Sequence, residues 1–118
     1  MASRPPDALS ILVVEDDRAH ADLIAEVLEG QGHQVTRASS GAEGLRHLEA
    51  PGAADLVVTD LRLTDRSGLD LVKRCAELRG DGPVPQSIVV TGYGSVEGAV
   101  AAMQAGAQTL QQGPFKRI

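Results

Sequence analysis

Acidic residues gather at the ends of apolar runs in this chain. Glu15-Asp16-Asp17 follows Ile11-Leu12-Val13-Val14, and Asp60 follows Leu56-Val57-Val58-Thr59. A hydroxyl, Thr91, follows the third run, Ile88-Val89-Val90. Were these runs parallel strands, their carboxyl ends would form a binding crevice, and three or four carboxylates would meet one hydroxyl there. Like charges that close repel, and a divalent cation is the usual compensation. An all-oxygen donor set suits Mg²⁺ and leaves one carboxylate to act as a nucleophile.

The pattern between these runs supplies the elements that must position them. Ser10 to Glu15 is a continuous apolar run, as expected of a central parallel strand buried on both faces. From Arg18 to Glu29, residues Ala21, Leu23, Ile24, Val27 and Leu28 recur at helical spacing, and Gly30 and Gly32 stop the helix. Gln34 to Ala38 has few apolar residues and reads as a strand near a sheet edge. Ser40 to Glu49 is predicted as a second helix, ended by Pro51-Gly52. Asp55 to Thr59 is a strand, followed by a polar loop to Gly68. Leu69, Val72, Cys75, Ala76 and Leu78 mark a third helix. Gln86 to Val90 is the fourth strand. Ser95 is a good N-cap for a helix carrying Val96, Ala99, Val100 and Met103. Ala107 to Gln111 is a weak fifth strand. Strands alternating with helices through short connections predict an α/β, doubly wound parallel sheet with right-handed crossovers.

The bulk composition limits the alternatives. The 118 residues suffice for one domain, and 42% hydrophobic with 23% charged residues is a globular composition. Eleven basic against sixteen acidic residues give a net charge of -5, which argues against direct contact with nucleic acid. No apolar stretch approaches the ~20 residues needed to span a membrane. Residues 1–8, with Pro5-Pro6, are expected to be a disordered lead without the apolar core of a signal peptide, and residues 9–118 form the domain. The single cysteine, Cys75, permits no internal disulfide, in keeping with a reducing cytoplasm. It sits among apolar helix residues and is expected in the core. His20, His33 and His47 are too scattered to suggest a metal site.

Taken together, Asp16-Asp17, Asp60, Thr91 and the loop Asp60-Leu61-Arg62-Leu63-Thr64-Asp65-Arg66-Ser67-Gly68 resemble the receiver domains of two-component response regulators. The stretch Thr91-Gly92-Tyr93-Gly94-Ser95-Val96-Glu97 is most similar to receivers of NtrC-type transcriptional activators. The resemblance implies a flavodoxin-like (CheY-like) five-stranded sheet of order 2-1-3-4-5. It implies a phosphoacceptor of a phosphorelay rather than an enzyme acting on a separate substrate, with self-catalysed phosphorylation and dephosphorylation only. Asp60 would take a phosphoryl group from a sensor histidine kinase or phosphotransfer protein. Mg²⁺ would be held by Asp17, Asp60 and the backbone carbonyl of Arg62, and through water by Asp16. Thr91 would bond the phosphoryl group and bias a two-state switch. The side chains of Arg62 and Tyr93 would flank the site. An output domain or partner protein would carry transcriptional control. A homodimer fits the family, and neither nucleic acid nor membrane is an expected contact of this domain.

Two positions depart from the family pattern. Gly113 stands where a lysine is expected before Pro114-Phe115, and Leu110 where an aromatic switch residue is usual. The helix expected after the fifth strand is missing or truncated at Ile118. These departures support an alternative: a degenerate receiver that docks a partner without switching. Two enzymatic readings fit less well. Gly92, Gly94 and Gly98 miss the dinucleotide-binding spacing by one residue. A haloacid-dehalogenase-like phosphatase would want an aspartate where Arg62 stands.

Overall fold

The computed structural model describes residues 8–50, 52–91 and 109–112. Its elements run in the order β1 (Ser10–Val14), α1 (Arg18–Gly30), β2 (Gln34–Ala38), α2 (Gly41–Glu49), β3 (Leu56–Asp60), α3 (Leu69–Arg79), β4 (Gln86–Thr91) and β5 (Thr109–Gln112). All pairings are parallel, and the strand order is β2-β1-β3-β4-β5. The expected doubly wound α/β sheet is therefore present. Of the predicted fifth strand, Thr109–Gln111 are found in β5, and Ala107 and Gln108 lie outside the described residues. The lead at 1–8, Ala8 apart, the helix expected from Ser95, and the segment from Gly113 lie outside the described residues.

The period-2 alternation of the central strands divides the core into two layers. Ile11 and Val13 of β1 join Val58, Ile88 and Val90 against Ile24 and Leu28 of α1. The intervening residues, Leu12, Val14 and Val57, pack instead with Leu48 of α2 and with Leu71 and Cys75 of α3. Strands apolar at every position are what a sheet covered on both faces requires. β2 differs, with only Ala38 buried, as its polar sequence predicts for an edge. Cys75 is fully buried, and burial pushes its thiol up to about 11, against a smaller opposing effect of Arg79.

The register aligns the strand ends that matter. Val14 pairs with Thr59, and Asp60 pairs with Val90. The residues after β1, the last residue of β3 and the last residue of β4 thus share one edge of the sheet. Beyond β3 the chain folds back sharply. The Gly68 amide donates to the Leu61 carbonyl at 2.7 Å, and Arg62 and Ser67 form an antiparallel bridge. Gly68 is needed for this close approach: a Cβ there would lie 1.9 Å from the Asp60 carbonyl oxygen.

Candidate functional site

Three carboxylates meet at this edge. Oxygens of Glu15, Asp16 and Asp60 all lie within 4.8 Å of one another. Each is held by a backbone amide. The Asp60 Oδ1 accepts from the Arg62 amide at 3.2 Å, a local turn that starts the loop after β3. The Asp16 Oδ2 accepts from the Thr64 amide at 2.8 Å, which ties the end of β1 to that same loop across 48 residues of sequence. The Glu15 Oε1 accepts from the Asp17 amide at 3.2 Å and lies 3.6 Å from the His20 Nδ1.

Glu15 is the buried member, with 4% of its surface exposed. Burial, and next the negative charge of Asp60, push its carboxyl up to about 8. A carboxyl crowded in this way is relieved by a cation, and an all-oxygen donor set matches a hard divalent ion. The residues present therefore fit Mg²⁺. A cavity of about 250 Å³ opens beside the cluster, lined by Glu15, Asp16, Arg18, Arg37 and Ser39 among others.

The acidic pair expected from the sequence is displaced by one residue. Asp17 does not join the cluster. It is the N-cap of α1, and its Oδ1 accepts from the His20 amide at 3.0 Å. The physical reason is the length of β1. The strand ends at Val14, so Glu15 and Asp16 stand at its mouth, while Asp17 directly precedes the helix and satisfies one of its free amides. The signal was available in the sequence: the last apolar residue of the run marks the mouth, and Glu15 comes next. Sequence reasoning also treated Thr64 and Asp65 as plain loop residues, although both hold the loop to other elements.

The remaining expected site residues are placed less completely. Arg62 follows Asp60 by two residues and touches the cluster through its amide, which donates to the Asp60 Oδ1. Thr91 is the last residue of β4, one position beyond the partner of Asp60. Leu110 lies in β5 opposite Val89. Tyr93 and Gly113 lie outside the described residues.

Residues 11–117 match the family of the response regulator receiver domain. The transcriptional regulatory protein ZraR of Escherichia coli K12 is 35% identical over 101 residues, covering 86% of this chain and 22% of ZraR. The chain thus spans less than a quarter of that curated relative. The crystal structure of a CheY-like receiver domain protein from Methanospirillum hungatei JF-1 superposes with a TM-score of 0.82 at 33% identity, covering 93% of this chain and 85% of that one. A response regulator from Burkholderia pseudomallei, crystallised with a phosphorylated aspartic acid and a calcium ion, superposes with a TM-score of 0.79 at 31% identity, covering 91% of this chain and 61% of that one. These likenesses lend the docking-only alternative no support.

Proposed function

Because the chain belongs to the response regulator receiver family, we propose that Asp60 is its phosphoacceptor and that Glu15, Asp16, Asp60 and the backbone carbonyl of Arg62 hold Mg²⁺ beside it. The observation that carries this reading is the convergence of the three carboxylates at the carboxyl edge of the sheet. The phosphorylated aspartic acid in the Burkholderia relative gives the same chemistry a precedent.

In the transfer, a carboxylate oxygen of Asp60 attacks the phosphorus of a phosphohistidine on a partner kinase or phosphotransfer protein. The phosphorus–nitrogen bond breaks, its electron pair leaves with the imidazole, and an aspartyl phosphate results. Bound Mg²⁺ would neutralise charge on the phosphoryl oxygens. The Arg62 amide orients the Asp60 carboxylate, and the Thr64 amide orients Asp16. Thr91, at the end of the neighbouring strand, would supply the hydroxyl that senses the phosphoryl group and biases the switch. Arg62 and Tyr93 would flank the site.

The stimulus reaches the domain from a histidine kinase, and the output passes to a separate domain or partner, with transcriptional control in keeping with the names of the curated relatives. No helix among the described residues is long and apolar enough to cross a membrane, and a cytoplasmic site of action fits a kinase-to-regulator relay. Intact-mass analysis with a small phosphodonor tests the reading. One phosphoryl adduct is expected with Mg²⁺, lost in Asp60→Asn. An adduct that persists in Asp60→Asn would place the acceptor elsewhere.

A further inference from the structure

The loop after β3 is held at its tip from two sides. The Leu63 amide donates to the Arg66 carbonyl at 3.1 Å, and Thr64 and Asp65 form the turn between them. On one side the Thr64 amide reaches the Asp16 carboxylate at 2.8 Å. On the other, the Asp65 carboxylate reaches the first turn of α2: Oδ1 accepts from the Gly41 amide and Oδ2 from the Ala42 amide, each at 2.9 Å. The next two amides of α2 are satisfied within the helix start itself, Glu43 by the Ser40 Oγ and Gly44 by the Ser40 carbonyl. Two of the first three amides of this helix are therefore capped from another loop, 23 and 24 residues away. The two elements approach closely here: a Cβ on Gly41 would lie 2.5 Å from the Arg66 Cγ, so the Arg66 side chain would have to shift. The two bonds hold the Asp65 carboxyl below its usual value.

We propose that Asp65 is a positioning residue that joins the start of α2 to the metal-holding loop, so that the seating of α2 and the occupancy of the carboxylate cluster by Mg²⁺ are linked. The proposal rests on the metal reading above. Thr64 and Asp65 are adjacent, so a shift of the Asp65 end of the turn moves the amide that orients Asp16. Linkage makes the effect reciprocal: whatever factor Asp65 adds to Mg²⁺ affinity, Mg²⁺ returns to the seating of the helix.

The test titrates Mg²⁺ alone by calorimetry into the wild type, Asp65→Ala, Asp65→Asn and Ser40→Ala, with far-ultraviolet circular dichroism to verify the fold. Ser40→Ala removes a cap from the same helix without touching the loop, and so reports a purely structural loss. Asp65→Ala is expected to bind Mg²⁺ about 10-fold more weakly, the usual scale for a partner that orients a metal ligand. Asp65→Asn, which retains one acceptor oxygen, should fall between it and the wild type, and Ser40→Ala should bind as the wild type does. Hydrogen exchange at the Gly41 and Ala42 amides should slow on adding Mg²⁺ in the wild type but not in Asp65→Ala. If the wild type binds and Asp65→Ala binds no more weakly than Ser40→Ala, the linkage is overturned and the metal site stands. If the wild type binds no Mg²⁺, the metal reading falls and the linkage with it.

Discussion

Glu15 is the residue at which the site and the stability of the fold meet. Its carboxyl is raised from 4.5 to about 8 by burial and by Asp60, so the folded chain holds that proton after the unfolded chain has lost it. Its contribution is therefore fully present below pH 4.5 and is lost as pH rises through about 8. Asp65 and Glu49 act in the opposite sense, because hydrogen bonds lower both carboxyls. Their contributions are present above their ordinary values, 3.8 and 4.5, and are lost as pH falls below them. In metal-free protein, the melting temperature followed by calorimetry should fall between pH 5 and pH 8. Glu15→Gln should flatten that decline, and saturating Mg²⁺ should abolish it by favouring the charged carboxylate. A decline of equal slope in Glu15→Gln would show that another group is responsible. At this scale the sequence was only partly legible. Asp60 and Asp16 were readable from the ends of their apolar runs. Asp17 stood in the expected ligand set and Glu15 did not, because one residue of strand length decides which acid faces the cluster and which caps the helix.

Among the elements, the turn between β3 and α3 leaves no room for a side chain at Gly68. Gly68 sits against the Asp60 carbonyl and the Leu61 Cα, so Gly68→Ala must push the backbone of Asp60 itself. A loss of about 1–3 kcal/mol in urea denaturation is expected, the ordinary scale of overpacking, together with weaker Mg²⁺ binding. Gly30→Ala is the matched control, because nothing lies within 4 Å of its Cβ position, and it should leave stability unchanged or slightly raised. Equal effects of the two substitutions would mean that the turn can yield. The helices and strands themselves were largely legible. Apolar runs of four or five residues bounded by acids, glycines and prolines gave β1, β3 and β4 within a residue or two. The 3.6-residue stripe of Ala21, Ile24 and Leu28 gave α1. The tip of the loop was not legible, since no local pattern announces that Asp65 caps a helix 23 residues earlier; only the fold brings them together.

At the scale of the molecule, the crossovers place every described helix so that the acidic edge is built from ends that are far apart in sequence. The alternation and the right-handed rule predict a parallel sheet covered on both faces, while its order, β2-β1-β3-β4-β5, was legible only through the resemblance of the acidic motifs to receiver domains. Among the described residues the central strands contribute to both core layers, and α2 and α3 share one of them. Glu49 and Arg74 reinforce that side, with the Arg74 Nε 2.5 Å from the Glu49 Oε1 and its Nη2 2.9 Å from the Oε2. The sole cysteine lies inside this layer, fully covered, with a thiol that resists ionisation at neutral pH. Alkylating reagents attack the thiolate, so Cys75 reacts only when α3 lifts from the sheet. Its labelling rate is thus an intrinsic clock for opening of the α2–α3 layer, one that needs no added dye or engineered probe. Mg²⁺ and a phosphoryl group on Asp60 should each slow that clock if the site and the layer open as one unit, and leave it unchanged if they open apart.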